Sequence, residues 1–309
     1  MLLLLMISLV PWAAGYLARP CYLWPSSDLR PCGSSAMYCR PATKLESLER
    51  PRICLLIPAF NEEDRIPTTL DLYQDFFYGS DWQCDIMVID DGSNDKTAAI
   101  VDSFPAKIPI RCISLPSNGG KGAALARGIE EVASNSPVRN TLILTLDADG
   151  SGDLIFLETM ARALEELLVD QCGSLDWSLP AMVTGNRNYD LFTARGITRW
   201  GFQSAVRLIM GNLRVRDSQC GYKLMTLPAA EVLYRNLHLQ RWSHDVEVLY
   251  RAKLLDIPIR EMPIEWEDKD GSKIVSSGVA RVSSEMLLDV IRLRWEYSIT
   301  GNWRPLNIC

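Results

Sequence analysis

The sequence is short of the residues that run several common chemistries. Only two histidines, His238 and His244, occur among 309 residues. A nucleophilic cysteine wants a histidine beside it, so the nine cysteines are poor nucleophile candidates. They include no CxxC pair, which leaves zinc ribbons and thioredoxin-like motifs unsupported. Cys54, inside ICLLIP, reads as a reduced buried thiol. Positive charge is also short: 32 Lys and Arg face 38 Asp and Glu, for a net charge of −6. A protein that grips duplex nucleic acid usually carries the opposite sign, so no nucleic acid partner is expected. Mean hydropathy is +0.01, too low for a multi-span membrane protein. There is no internal repeat. No GxGxxG follows the first expected strand, which disfavours a Rossmann dehydrogenase.

One long run lacks charge altogether. Residues 1–18 have no charged side chain, and Arg19 is the first. Eighteen residues just reach across a bilayer core. A cleaved signal peptide is the competing reading, but it normally begins with a basic region that is missing here. Arg19, Arg30, Arg40 and Lys44 follow the run, so the positive-inside rule keeps the bulk of the chain in the cytosol. The expected organisation is a transmembrane anchor at 1–19, a proline-rich linker at 20–50, and one large domain at 51–304.

What is present begins with an alternation. Short, almost continuous apolar runs occur at 53–59, 85–90, 110–115 and 141–147. Such runs suit strands buried on both faces. Helix-like stretches at 66–77, 95–103, 120–134 and 153–168 separate and follow them. The βα order predicts an α/β fold with a doubly wound, mostly parallel sheet. Ligands then bind beyond the carboxyl ends of the strands. Further on, 197–213, 246–255 and 276–297 read as helices and 258–266 as a strand. The 276–297 segment is amphipathic, and its pattern leaves open whether it meets a membrane or the core.

Four polar segments fall at the ends of the four expected strands. Asp147 and Asp149, two apart, point to one face of a strand. Two carboxylates that close want a cation between them, and Mg²⁺ or Mn²⁺ bridging phosphate oxygens is the natural occupant. Asp90 and Asp91 close the second strand, where a carboxylate suits a pyrimidine N–H or a ribose hydroxyl; Ser93 or Asn94 is placed to cap the next helix. Gly119, Gly120 and Lys121 precede a helix whose N-terminus favours anions, and Lys121 has the reach for a diphosphate. The spacing is not that of a Walker P-loop. Pro58, Ala59, Asn61 and Glu62 follow the first strand at the same crevice. Together the four segments make an acidic, metal-compatible nucleotide site.

In this order, IPAFNEE, VIDDGSNDKT, NGGKGAAL and LTLDADG resemble the family 2 glycosyltransferases of the GT-A fold. RDSQCGYKLMT, QRWSHDVEVLY, IPIREMPIEWEDKDGSKI and the late TGNWR narrow the resemblance to the dolichyl-phosphate β-glucosyltransferases. It covers roughly 52–304. The resemblance implies inverting transfer of glucose from UDP-glucose to dolichyl phosphate, on the cytosolic face of the endoplasmic reticulum, in N-glycan precursor assembly. It places Asp91 near the uracil and ribose, Asp147 and Asp149 at the metal and diphosphate, and Lys121 in the donor loop. Ser151, Gly152 and Asp153 depart from the family pattern, so a third metal ligand is not carried over. Asp245 falls where many members keep an acid near the acceptor, either as a base or as an orienting carboxylate. His244 reads as structural.

The implied acceptor is a phosphate monoester with about 1.5 to 2 negative charges at neutral pH, already a competent nucleophile. It needs cationic positioning more than a base. Residues 187–223 hold seven basic side chains against two aspartates, a local net of +5 that suits a membrane-surface approach for a lipid phosphate. Arg216, Lys223 and Arg241 are the expected phosphate contacts. Asp268, Asp270 and Lys273 form a polar turn suited to a lid, with Lys273 within reach of the diphosphate. Three alternatives stay open: a mannosyltransferase using GDP-mannose, a non-catalytic nucleotide-binding protein of the same fold, and a nucleotidyltransferase.

Overall fold

The structure is a computed structural model that describes residues 50–135, 140–170, 173–187, 194–266 and 279–300. The chain clusters as two units. Tyr38–Gly301 is one; Met1–Met37 with Asn302–Cys309 is the other and lies outside the described residues. The expected anchor and most of the linker also lie outside them. Among the described residues no helix is long and apolar enough to cross a membrane.

The elements are β1 (Arg52–Ala59), α1 (Ile66–Tyr78), β2 (Cys84–Asp90), α2 (Thr97–Asp102), β3 (Ile110–Ser114), α3 (Lys121–Asn135), β4 (Thr141–Thr145) and α4 (Leu157–Leu168). Then come β5 (Met182–Arg187), α5 (Ala194–Met210), β6 (Lys223–Thr226), α6 (Leu227–Tyr234), α7 (His244–Leu254), β7 (Ile259–Ile264) and α8 (Val279–Trp295). The sheet order is β3-β2-β1-β4-β6-β5-β7. β1 pairs in parallel with β2 and β4, and β2 with β3. The four expected strands are therefore one parallel half-sheet.

Alternation along each strand feeds two cores, because successive side chains leave opposite faces. In β1, Ile53, Leu55 and Ile57 join one apolar cluster while Cys54 and Leu56 join the other. The first cluster is covered by α1, through Leu70, Tyr73 and Phe77, and by α4, through Met160 and Leu164. The second is covered by α3, α5, α6, α7 and α8. Val290 and Leu293 of α8 are fully sealed in it, so one side of this amphipathic helix packs on the core.

Two short strands and a helix escape the sequence reading. β6 runs antiparallel to both β4 and β5, the one reversed strand in a sheet that is otherwise parallel, as the expected mostly parallel sheet allows. Its four residues KLMT open with a buried lysine, and β5 is interrupted by Gly185. Neither looks like an apolar run. The reversal has a functional consequence. Two antiparallel steps make β5 point the same way as β4, and one puts the start of β6 at their ends, with Lys223 opposite Thr145. Arg187, at the end of β5, and the loop before β6 thus reach the same sheet edge as Ala59, Asp90 and Asp147.

Candidate active site

The first two crevice loops are zipped to each other. The backbone N–H of Asn61 donates to Ser93 Oγ at 2.8 Å, and that of Asn94 donates to Asn61 Oδ1 at 2.8 Å. Asn61 takes a left-handed backbone (φ 52°), a conformation asparagine tolerates. Glu62 is buried and pairs with Arg65 at 2.6 Å. Ser93 and Asn94 are therefore spent on the neighbouring loop; Asp95 Oδ1 takes the Thr97 N–H at 3.0 Å instead. Asp90 accepts the Ser93 N–H at 3.2 Å. Pro58 and Ala59 contribute strand backbone, and the Ala59 carbonyl accepts the Asp91 N–H.

Asp91 is a clasp. Its two oxygens accept the N–H groups of Gly119 and Gly120, each at 2.8 Å. Burial pushes its pKa up, against the pull of those two amides and of nearby Arg241. The glycine amides expected to face an anion are thus turned to Asp91. Gly120 needs its glycine: φ is +101°, and a Cβ there would stand 2.6 Å from the Gln240 carbonyl. Arg241 lies across this loop, exposed, with a guanidinium nitrogen 3.4 Å from Asn118 Oδ1. Arg241, in the segment before α7, thus brings an exposed guanidinium onto the turn after β3.

Beyond β4, Lys121 Nζ donates to Asp147 Oδ1 at 2.5 Å. Burial opposes both charges, but each more than compensates the other: Lys121 is held above its ordinary value by Asp147 and Asp245, and Asp147 below its own by Lys121 and Arg187. Asp149 Oδ1 accepts from Ser151 N and Oγ, at 3.1 and 2.6 Å. Both acids act on the same buried phenol, Tyr73, whose ionisation is opposed first by burial and then by the two carboxylates. The expected strand over 141–147 stops at Thr145, so the two acids sit in the turn beyond it rather than at strand spacing, and what they share is their effect on Tyr73. The second oxygen of each, Oδ2, has no hydrogen-bond partner among the described residues, so the donor set fits a hard divalent cation. Asp153, the third nearby acid, caps the short 154–156 turn through the Ile155 N–H at 2.9 Å. Among the described residues no group of three or more histidines, cysteines or acids could hold a metal. Two carboxylates would have to share the ion with ligand oxygens.

The third layer is made by the loop before β6 and the start of α7. Lys223 was expected at the acceptor phosphate; the structure buries it instead, with 1% of its side chain exposed. Its Nζ donates to Asp245 and to the Cys220 carbonyl. No phosphate reaches an ammonium enclosed in this way without opening the core. Burial opposes ionisation of Asp245, yet His244, Lys223 and Lys121 outweigh it and hold the carboxyl well below the usual range. Asp245 is therefore a fixed carboxylate and a weak base. His244 is fully buried, its pKa is lowered by burial, and its Nδ1–H donates to the Arg241 carbonyl at 2.8 Å. It is structural, as its sequence context suggests.

Arg187 and Gly221 were not singled out from sequence. Arg187 forks onto Asp217 at 2.7 and 3.0 Å and stacks over Trp266, 5.3 Å to the ring centroid. It also adds positive potential at Asp147. Gly221 lies beside the central pair: a Cβ there would be 2.9 Å from Lys121 Nζ and 3.0 Å from Asp147 Oδ2. The glycine inside SQCGYK was the available signal for it. Arg216 is exposed, its backbone N–H held by Glu261 Oε1 at 2.7 Å. Lys273, Asp268 and Asp270 lie outside the described residues. The described cysteines Cys54, Cys84, Cys112 and Cys220 are free thiols, all with pKa raised first by burial.

Residues 54–208 match the profile of glycosyl transferase family 2. The dolichyl-phosphate beta-glucosyltransferase of Dictyostelium discoideum is 34% identical over 266 residues, 82% of this chain and 76% of that protein. The Homo sapiens dolichyl-phosphate beta-glucosyltransferase is 31% identical over 268 residues, 82% of this chain and 78% of that protein. Among solved structures, glucosyl-3-phosphoglycerate synthase from Mycobacterium tuberculosis superimposes with a TM-score of 0.54 at 19% identity. The match covers 78% of this chain and 80% of the synthase, which was solved with Mn²⁺, UDP-glucose and phosphoglyceric acid. At that identity the likeness shows the fold alone.

Proposed function

Because the chain belongs to glycosyl transferase family 2, and within it to the dolichyl-phosphate β-glucosyltransferases, we propose that it transfers glucose from UDP-glucose to dolichyl phosphate with inversion at the anomeric carbon. The observation that carries the reading is the Lys121–Asp147 pair, with Asp149 beside it, at the carboxyl edge of the parallel half-sheet. That edge is where a nucleotide sits in such sheets. The donor assignment is supported by the UDP-glucose bound to the like-folded synthase.

The residues divide the work. Asp91 holds the Gly119–Gly120 turn in place and lines the nucleoside end with Asn61 and Asp90. Glu62 and its partner Arg65 stiffen the turn after β1. Asp147 and Asp149 would hold Mg²⁺ or Mn²⁺, which when bound neutralises charge building on the departing diphosphate. Lys121 and exposed Arg241 supply positive charge to the same diphosphate from either side of the glycine turn.

The acceptor attacks through a phosphate oxygen. That oxygen forms a bond to C1 of glucose as the bond from C1 to the UDP oxygen breaks, and the electron pair leaves with UDP. No proton need be removed from a phosphate dianion, which agrees with an Asp245 held as a carboxylate in an ion pair rather than poised as a base. Asp245 orients; Arg216, with an exposed guanidinium, is the acceptor-phosphate candidate that keeps a free head. The reading places the anchor at 1–19 in the endoplasmic reticulum membrane with the catalytic domain on the cytosolic side.

The test is direct. Full-length protein is incubated with radiolabelled UDP-glucose, dolichyl phosphate and Mg²⁺ or Mn²⁺, and organic-phase label is counted. Acid-labile glucosyl lipid is the expected product, lost with Asp149→Asn. Transfer from GDP-mannose but not UDP-glucose would replace the donor; pyrophosphate release with no glycolipid would replace the reaction.

A further inference from the structure

The turn carrying Asp147 and Asp149 rests on α1, a helix that offers no group to the substrates. Two hydroxyls of that helix meet the turn. Thr69 is buried, and its Oγ1 donates to the Ala148 carbonyl at 2.9 Å. Ala148 stands between the two acids, so this bond fixes the peptide leading into Asp149. Next along the turn, Gly150 takes a left-handed backbone (φ 69°), and a Cβ there would stand 3.3 Å from the same Oγ1. The chain bends closely over Thr69.

Tyr73 lies one helical turn further on, on the same face of α1. Its side chain is fully buried, and a Cβ on Gly152 would lie 3.6 Å from its hydroxyl oxygen. That hydroxyl has no hydrogen-bond partner among the described residues. Buried phenols ordinarily have one, because an unpaired polar group forfeits the bond it made to water. After burial itself, Asp147 and Asp149 are the groups that most oppose ionisation of this phenol. Tyr222 has a buried, unpartnered hydroxyl too, but the carboxylate that acts on it is Asp153.

The helix is anchored independently of the turn. At its start the Glu62 N–H donates to Thr97 Oγ1 at 2.8 Å, and the Glu62 carbonyl accepts the N–H groups of Arg65 and Ile66 at 3.0 and 2.9 Å. Along its length Leu70, Tyr73 and Phe77 are seated in the first apolar cluster. α1 is thus a strut running from the loop after β1 to the floor of the acid turn, and it presents Thr69 and Tyr73 to that turn from a fixed position.

Carboxylates that hold a metal are themselves held by hydrogen bonds, and those outer partners aim the ligand oxygens. Asp149 has one oxygen on Ser151 and Asp147 one on Lys121. Thr69 grips the peptide between them. Tyr73 brings one donor hydrogen, with no acceptor among the described residues, to a turn whose acids each keep an oxygen for a cation. We propose that Thr69 and Tyr73 are positioning residues for the divalent cation, Thr69 setting the relation of the two acids and the Tyr73 hydroxyl donating to the acid turn when the cation is bound. The proposal rests on the reading that Asp147 and Asp149 hold Mg²⁺ or Mn²⁺.

Direct metal binding tests it. Full-length protein is titrated with Mn²⁺ in the presence of UDP, and free Mn²⁺ is read from its electron paramagnetic resonance signal. Thr69→Val and Tyr73→Phe each remove a hydroxyl with little change of shape, and each should weaken Mn²⁺ binding about 10- to 100-fold. Thr69→Ser keeps the donor and should bind close to wild type. Tyr222→Phe removes the other unpartnered hydroxyl and should bind as wild type. Melting in EDTA separates positioning from packing: Tyr73→Phe should be at least as stable as wild type, because the hydroxyl it loses makes no hydrogen bond to a described residue.

Wild-type Mn²⁺ affinity in either Thr69→Val or Tyr73→Phe overturns the proposal. So does a Thr69→Ser protein as weak as Thr69→Val, which would make the methyl group decisive. An equal loss in Tyr222→Phe overturns it as well, by showing a general response of the core. The metal reading fails separately: wild-type protein would bind no Mn²⁺, or Asp149→Asn would bind it as tightly as wild type, and the positioning role would fall with it.

Discussion

Replacing Lys223 by methionine tests the central claim that this lysine is a buried counter-charge rather than a phosphate contact. Lys223 and Asp245 have 1% and 6% of their side chains exposed, and His244, the other neighbour of Asp245 at 3.3 Å, is driven toward neutrality by burial. Methionine keeps the volume and removes the charge. Removing one partner of such a pair typically costs about 3–5 kcal/mol, because the other charge stays buried. For a domain of this size that is a fall in melting temperature of roughly 6–20 °C. The pH dependence fixes the cause. In the native protein the Asp245 pKa is depressed, so its contribution is present above the unfolded value near 3.9 and is lost as pH falls toward the folded value. In K223M the desolvated carboxyl is raised instead, so the penalty is full at neutral pH and shrinks as acid protonates Asp245. Melting temperatures of both proteins from pH 7.5 to 4.5 should therefore converge as pH falls. The double variant K223M/D245L should recover most of the loss, since an apolar pair of like volume replaces buried ions at little cost. A gap that stays constant with pH, or no recovery in the double variant, refutes the argument. So does a K223M protein with native stability and a raised KM only for the lipid acceptor.

Gly221→Ala should leave the melting temperature nearly unchanged but slow transfer, by up to about 100-fold if the Lys121 ammonium is displaced by an ångström from Asp147; single-turnover rates and thermal melts read the two separately. Asp91→Ala unclasps one buried and one half-buried amide and should cost about 1–3 kcal/mol in urea unfolding, with a rise in KM for the donor; an unchanged stability removes the clasp. Cys54 and Cys220, pushed up to about 12 and about 11 by burial, should resist alkylation at pH 8 until the chain unfolds; peptide mapping after a short iodoacetamide pulse checks this, and rapid native labelling of either would contradict their burial.

The parallel half of the fold was legible because its signals are local. The runs 53–59 and 85–90 each lie within a residue of the strand observed, and the crevice residues follow from chain order alone. Asp147 and Asp149 do not owe their place to strand spacing, because β4 ends at Thr145 and both acids lie in the turn after it. The antiparallel half was not legible, since KLMT and MVTGNR are short, and the first opens on a lysine whose presence in a core only Asp245 explains. The roles of individual charges were hidden for the same reason. Nothing near Lys223 in sequence reveals that a residue 22 positions later neutralises it, nor that Asp217 claims Arg187 across 30 positions.

Those pairings also change the meaning of the charge distribution. Seven basic residues between 187 and 223 suggested an open cationic patch in a chain of net charge −6. Two of them, Arg187 and Lys223, are instead consumed inside the site by Asp217 and Asp245, and Arg214 pairs with Asp256 at 3.4 Å. A phosphate arriving at this crevice meets potential from Arg187 through Asp147 rather than a bare guanidinium. Arg207 and Arg216, both exposed, lie near the end of α5 and in the loop after it, the Arg207 guanidinium donating to the Arg216 carbonyl at 3.3 Å. Positive charge is thus sorted into two populations with different tasks. Buried cations keep Asp147, Asp217 and Asp245 ionised at neutral pH, as the depressed pKa of each requires. Exposed ones remain responsive to ionic strength, because screening acts on solvent-facing charges over about 8–10 Å and far less on enclosed pairs. Raising salt from low to about 0.5 M should therefore raise the KM for an anionic acceptor while leaving the melting temperature nearly constant, and a parallel loss of both would show that the buried cations are open to solvent after all.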